Sequence, residues 1–64
     1  MLLKDYLDRT GITRAEFARR ISVRHITVTR YVNEGRVPEP SVMLKIIEAT
    51  DGEVTANDFF GLAA

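Results

Sequence analysis

The residues best equipped for chemistry in this 64-residue chain are seven arginines that lie between Arg9 and Arg36. A guanidinium group can fork onto a phosphate or onto the O6 and N7 atoms of guanine, which makes arginine the cation best suited to both. Only two carboxylates accompany these seven arginines, so the segment carries a net charge of +5 and the rest of the chain carries −5. Runs of charge are more often solvated helix faces than ligand sites, so the spacing must decide between the two interpretations.

Catalytic and metal chemistry find little support in the sequence. The chain has no cysteine and a single histidine, His25, which excludes disulfides, thiolate metal sites and histidine-rich metal sites. Ser22, Ser41 and His25 show no triad order and no glycine elbow. A chain of this length also leaves little room for an active-site cleft. We therefore expect no enzyme, no cofactor and no metal site.

The sequence shows no segment that would cross or enter a membrane. Its longest apolar stretches are short, such as Ile46-Ile47 and Phe59-Phe60, and its first five residues lack a signal-peptide pattern. We therefore expect a cytoplasmic protein without a membrane partner, made of one domain that spans residues 1–64.

Hydrophobic periodicity and turn residues divide the chain into five short helices, which predicts an all-α fold. The predicted helices span roughly residues 2–9, from Arg14, about 25–33, from Pro40 to Asp51-Gly52, and a short last one ending at Phe60. The predicted inward positions are Leu3, Tyr6, Leu7, Phe17, Ala18, Ile21, Val28, Tyr31, Val32, Val42, Leu44, Ile46 and Ile47. The alternation in Ile26–Thr29 is typical of a strand, but a single four-residue strand would have no partner.

Capping residues mark the ends of several of these helices. Thr13 and Glu16 form a capping-box pattern, in which the hydroxyl accepts from the Glu16 amide and the carboxylate accepts from the Thr13 amide. Thr55 and Asp58 repeat this spacing before the last helix. Gly35 is placed to end the third helix in a left-handed conformation. These signals predict short helices with well-defined ends.

The stretch from Phe17 to Tyr31 has the pattern of a helix, a tight turn and a second helix, with the small Ala18 where the two helices must approach closely. This pattern resembles the Cro/repressor helix-turn-helix family, also called lambda-repressor-like DNA-binding domains. The resemblance extends over essentially the whole chain and implies a compact bundle of about five helices, with the motif formed by the second and third. The residues that carry it are Thr13–Phe17, Ala18, Val23, Val28–Tyr31, Gly35–Pro38 and Leu44–Thr50.

The resemblance implies that the third helix enters the major groove of double-stranded DNA. The residues it assigns to base contacts are Arg24, His25, Ile26, Thr29 and Arg30. Arg30 is the leading candidate for reading a guanine. The residues it assigns to phosphate contacts are Thr13, Arg14, Asn33 and Arg36. A plain surface role stays an equal alternative for His25 and Thr29, while Arg19 and Arg20 are expected to be solvated cations at a helix end.

Three residues depart from the family's pattern or oppose its function. Ser22 replaces the usual turn glycine, and serine adopts a left-handed conformation only with strain, so we expect a less stable or differently shaped turn. Arg24 replaces the small polar residue that often caps the recognition helix. Glu34 would oppose a phosphate contact unless it points away or pairs with Arg30, Arg36 or a base amine.

The resemblance further implies a small Cro-like transcriptional regulator, a repressor, that binds a palindromic operator as a homodimer. We expect the dimer surface to comprise Phe59, Phe60 and Leu62, with Val54 as a further candidate and one phenylalanine closing the core. No small-molecule effector is expected, because no second domain is present to hold one. The alternative is a protein-interaction module of the same fold, an antitoxin or adaptor, whose acidic regions bind a basic partner.

Overall fold

A computed structural model describes residues 1–60 as four α-helices and one 3₁₀ turn. The elements are α1 (Leu3–Thr10), α2 (Arg14–Arg20), α3 (His25–Glu34), α4 (Pro40–Ala49) and the 3₁₀ turn Ala56–Phe59. No strand occurs in the described part of the chain, and the stretch 26–29 is helical, so the all-α prediction is confirmed there. The fifth predicted helix is reduced to the single 3₁₀ turn.

The core is an apolar cluster to which all four helices and the segment after α4 contribute. Its buried members are Leu3, Tyr6, Leu7, Phe17, Ala18, Ile21, Val28, Ile46 and Val54. The ring centroids of Tyr6 and Phe17 lie 6.3 Å apart and the ring planes are inclined by 59°, so an aromatic contact joins α1 to α2. The inward positions predicted for α1 and α2 are confirmed, because every one of them is buried.

The face that α4 turns inward differs from the predicted one. Leu44, predicted to be a core residue, is 67% exposed, whereas Met43 is buried. The physical reason is that apolar side chains cover about 200° of the circumference of α4, so periodicity cannot tell which part of this broad face points inward. These side chains are Val42, Met43, Leu44, Ile46 and Ile47. Val54, a candidate for the dimer surface, is fully buried and therefore cannot form that surface.

Thr50 is a fully buried polar residue at the end of α4. Its hydroxyl donates to the Ile46 carbonyl oxygen at 2.8 Å and accepts from the Val54 amide at 3.2 Å. Thr10 makes the corresponding bonds at the exposed end of α1. Because the buried amide of Val54 is satisfied by a side chain, Thr50 fastens the segment after α4 to the helix.

Two helices end with a residue other than glycine in the left-handed conformation. After α2, Ser22 has φ 59°, its amide donates to the Arg19 carbonyl at 3.3 Å, and the Val23 amide donates to the Ala18 carbonyl at 3.0 Å. After α4, Asp51 has φ 54° and the same pair of bonds forms. Both ends are Schellman motifs, whose left-handed position usually holds glycine. The strain expected at Ser22 therefore lies in its backbone, while both hydrogen bonds of the turn between α2 and α3 are formed.

Candidate nucleic-acid interface

Helix α3 has an inward face and an exposed face on opposite sides. Val28 is fully buried, and Tyr31 and Val32 pack half-buried against the core. At about 100° per residue, the residues on the other side fall within an arc of about 140°. They are His25, Ile26, Thr29, Arg30 and Asn33. Ile26 is 49% exposed, so it is free to make an apolar contact outside the protein.

The N-terminal end of α3 is electropositive. Arg24 is the N-cap residue, its side chain makes no capping hydrogen bond, and the first turn of α3 contains no acidic residue. The positive end of the helix dipole is therefore not compensated within that turn. Arg24 and His25 are both exposed beside it. Arg24 thus lies at the N-terminal end of the exposed face of α3, which the other four predicted base-contact residues occupy.

The first residues of α2 lie next to the last turn of α3. Thr13 caps α2 as predicted, with its hydroxyl accepting from the Glu16 amide at 3.1 Å. Arg14 Nη2 donates to Asn33 Oδ1 at 3.4 Å, which brings two of the predicted phosphate residues together. Thr13 and Arg14 also line a shallow cavity with Lys4, a cation on α1 that the sequence analysis did not assign to this surface. No sequence pattern indicates that α1 approaches the start of α2.

Glu16 pairs with arginines and completes only half of the predicted capping box. Its carboxylate accepts from Arg19 Nη2 at 2.7 Å and lies 3.6 Å from Arg20 Nε. The hydrogen bond and charge of Arg19, with a smaller contribution from Arg20, hold the pKa of Glu16 below its ordinary value. Spacings of three and four residues on one helix were the sequence signal for these pairs. Arg19 and Arg20 are therefore exposed but paired, in keeping with their expected role as solvated cations.

Glu34 ends α3 and pairs with Arg36. Its Oε1 accepts from Arg36 Nε at 3.3 Å, which is one of the arrangements expected to reduce its repulsion of a phosphate. Arg36 and Arg30 line the same shallow groove, together with Tyr31 and Glu39. Burial, and then the charge of Glu39, raise the pKa of the Tyr31 hydroxyl. The structure therefore places the predicted phosphate residue Arg36 beside the predicted base-reading residue.

Ion pairs with three carboxylates engage four of the seven arginines in the basic segment, and two of the four share Glu16. The paired arginines are Arg9, Arg19, Arg20 and Arg36. Within residues 1–60, Arg14, Arg24 and Arg30 form no ion pair. All three are predicted contact residues, and they lie on α3, at its N-cap and at the start of α2. The positive charge that is free to meet an anion is therefore concentrated at the candidate interface.

A separate, uncharged surface lies beyond the end of α3, and we call it the apolar groove. Its lining is Val37, Pro38, Pro40, Met43, Leu44, Ala56 and Phe60. Phe60 is 54% exposed there. Phe59 is half-buried and packs edge-on against Tyr31, with 6.1 Å between the two ring centroids. Phe59 is thus the phenylalanine that packs against the core. Leu62, the third predicted dimer residue, lies outside the described residues.

Residues 1–60 were also compared with the requirements of a metal site and of a membrane-spanning helix, and they meet neither. No group of three or more histidine, cysteine, aspartate or glutamate residues among them is placed to hold a metal ion. None of the described helices has the length and apolar character needed to cross a membrane.

Comparison with known proteins identifies the family of the chain. The family model described as helix-turn-helix matches residues 3–56. The match begins at the first residue of α1 and ends at the first residue of the 3₁₀ turn, so it includes all four α-helices. No curated protein and no solved structure matches the chain. Because the match covers most of the sequence and contains the helix pair described above, the chain belongs to the Cro/repressor-type helix-turn-helix family of DNA-binding domains.

Proposed function

We propose that the chain is a small Cro-like transcriptional regulator, a repressor, that binds double-stranded DNA in a sequence-specific manner. In this proposal α3 lies in the major groove, which is wide enough to admit an α-helix. The observation that carries the proposal is the exposed face of α3, which lies opposite the buried Val28 and combines polar, apolar and cationic side chains.

The base contacts follow from the chemistry of each exposed side chain on α3. Arg30 forks onto the O6 and N7 atoms of a guanine, and Ile26 packs against a thymine methyl group. Thr29 meets a thymine methyl group or a neighbouring phosphate. Arg24 and His25, at the electropositive end of the helix, contact the edges of the bases that lie nearest the N-terminal end of α3.

The phosphate contacts come from the two ends of the helix pair. Arg14 and Asn33 are already hydrogen-bonded to each other, so one phosphate can be bound by both. Thr13 lies beside Arg14 at the start of α2, and Arg36 follows α3 on the side of Arg30. These contacts fix the position of α3 on the duplex and carry no sequence information themselves.

The salt dependence of binding to duplex DNA tests this proposal. On duplex DNA of random sequence Arg24 and Arg30 have no matching base edges, so with Arg14 they neutralise about three phosphates per protomer, and log K against log salt should have a slope of about −3 per protomer. Arg14→Ala should make the slope shallower by about 1. Arg19→Ala is the matched control and should leave the slope unchanged, because Arg19 is paired with Glu16. Binding that ignores salt, or no binding at low salt, would contradict the proposal.

The proposal includes a homodimer on a palindromic operator, since one recognition helix reads only a few base pairs. We place the contact between protomers at the apolar groove, around Leu44 and Phe60. The lining of the groove carries no charge, so two identical copies can meet there without the repulsion of like charges. Val37 and Pro38 belong to the link that directly follows α3, so a contact here would hold two recognition helices in a fixed relation.

Sedimentation of groove variants tests the dimer. Leu44→Ser and Phe60→Ser should each lower the dimer fraction, whereas Ile26→Ser, which changes an exposed apolar side chain outside the groove, should not. Comparing the dimer fraction of a chain truncated after Phe60 with that of the full chain measures the contribution of the last four residues, Leu62 among them, to dimerisation. An unchanged dimer fraction in both groove variants, with intact helical circular dichroism, would contradict this surface. A wild type that stays monomeric on DNA would favour a different protein as the occupant of the groove.

A further inference from the structure

The position of the Glu34 carboxylate is favoured neither by the dipole of α3 nor by packing against the core. Glu34 is the last residue of α3, where the negative end of the helix dipole disfavours an acidic side chain. Its side chain is 54% exposed and buries no apolar surface of the core. The neighbouring Asn33 is a predicted phosphate contact and is hydrogen-bonded to Arg14. A negative charge therefore lies at the edge of the surface that should approach a polyanion.

Glu34 engages the same guanidinium that would bind a phosphate there. Its Oε1 accepts from Arg36 Nε at 3.3 Å, and Arg36 lines a groove with Arg30. A carboxylate and a phosphate compete for the same forked donor, because both are oxyanions of matching geometry. While the pair is formed, Glu34 and Arg36 together contribute no net charge to the interface.

We propose that Glu34 is an intramolecular competitor of DNA phosphate for Arg36, and that it lowers the affinity of the chain for duplexes that lack the specific site. This inference rests on the proposed DNA binding. In complexes without the specific site, Arg36 stays with Glu34 and the sequence-independent attraction comes from Arg14, Arg24 and Arg30. A weaker sequence-independent attraction favours specificity, because the genome offers a vast excess of competing non-specific sites. Glu34 is thus a specificity-determining residue that acts through Arg36.

The expected size of the effect follows from counterion release. Glu34→Gln removes the competing charge and frees Arg36 for one additional phosphate contact. One such contact steepens the slope of log K against log salt by about 0.9, which amounts to roughly an eightfold gain in affinity at 0.1 M salt relative to 1 M salt. Glutamine also removes the unfavourable charge from the C-terminal end of α3, so the variant should fold at least as well as the wild type.

A double-mutant cycle on duplex DNA of random sequence tests the inference. Fluorescence anisotropy over a range of about 0.05 to 0.3 M salt gives the slope for the wild type, Glu34→Gln, Arg36→Gln and the double variant. Glu34→Gln should steepen the slope by about 1 in the wild-type background and leave it unchanged when Arg36 is glutamine. Asp51→Asn is the matched control, because it removes one exposed carboxylate at the end of α4 and keeps a residue that tolerates the left-handed conformation.

The outcomes separate this inference from the proposed function. If Glu34→Gln leaves the slope of a binding wild type unchanged, the inference is wrong and DNA binding stands. If Glu34→Gln steepens the slope equally with and without Arg36, the carboxylate repels DNA directly and the competition is refuted. If the wild type shows no binding at low salt, both the proposed function and this inference are overturned.

Discussion

Replacing Ser22 with glycine should stabilise the protein, because Ser22 holds the left-handed position of the turn between α2 and α3. Its φ is 59° and its side chain is exposed, so glycine removes no buried contact. The left-handed conformation costs an L-residue about 1–2 kcal/mol. The freedom of glycine in the unfolded chain offsets about 0.4–1 kcal/mol of that cost. The free energy of unfolding should therefore rise by about 0.5–1 kcal/mol, which raises Tm by about 2–8 °C in a domain of this size.

Thermal and urea unfolding followed by circular dichroism measures this gain. Ser22→Ala is the first matched variant, because it keeps the Cβ atom and should give no increase in Tm. Asp51→Gly is the second, since Asp51 holds the same position after α4 with φ 54°. Aspartate tolerates the left-handed conformation better than most residues, so Asp51→Gly should gain less than Ser22→Gly.

The reasoning about the turn has a clear refutation. A Ser22→Gly protein that melts at or below the wild-type temperature would show that the backbone at Ser22 is not strained. A Ser22→Ala protein that gains as much as the glycine variant would show that the hydroxyl, and not the Cβ atom, is unfavourable. DNA affinity should not change in either variant, because the Schellman bonds that set the angle between α2 and α3 are made by the backbone.

Four other substitutions test the DNA interface, the core and the stability in acid. Arg30→Ala should reduce the binding free energy by about 1–3 kcal/mol at one base pair and relax specificity there. Arg14→Ala should weaken binding to all sequences alike. Competition binding with variant duplexes measures both effects. Thr50→Val should lower the free energy of unfolding by about 1–3 kcal/mol, because it leaves the buried amide of Val54 without an acceptor; urea unfolding measures this. Hydrogen bonds from the Thr55 backbone and from the N-terminal amine hold the pKa of Asp58 below its ordinary value. The contribution of these bonds to the stability of the fold should therefore be complete above about pH 4 and be lost as the pH falls further. Unfolding of Asp58→Asn between about pH 5 and pH 2 should show a shallower pH dependence than that of the wild type.

Each of these predictions has its own control. Equal, sequence-independent losses for Arg30→Ala and Arg14→Ala would refute the assignment of Arg30 to base reading. Thr10→Val removes the corresponding hydroxyl at an exposed helix end and should cost less than Thr50→Val; equal costs would show that burial is not the cause. An Asp58→Asn protein with the wild-type acid profile would assign the acid sensitivity to other carboxylates.

Local sequence signals were sufficient to predict the four α-helices and most of their ends, although the last predicted helix is a single 3₁₀ turn. Thr13 caps α2, Gly35 ends α3 in the left-handed conformation, and Thr55 with Asp58 bounds the last turn, because each of these signals acts within a few residues. The exposed face of α3 was predictable for the same reason, since the inward position of Val28 determines what lies opposite.

The features that the sequence could not predict depend on contacts between elements or on a choice between partners. Met43, and not Leu44, faces the core, because the apolar face of α4 covers more than half of the helix and only the packing of its neighbours selects the part that is buried. Glu16 had two partners within reach, the Thr13 amide and the arginines one turn later, and the arginines prevail. The proximity of Lys4 to Arg14 depends on how α1 packs against α2, which no local pattern encodes.

Selection of bound sites from a random duplex library tests the central claim most directly, because it measures sequence specificity and symmetry together. The proposed function predicts an enriched site with two inverted half-sites about one helical turn apart, and predicts that Arg30→Ala loses preference at one position of each half-site. Failure to enrich any sequence under low-salt conditions would contradict the claim that α3 reads DNA. An enriched site without inverted symmetry would contradict the homodimer.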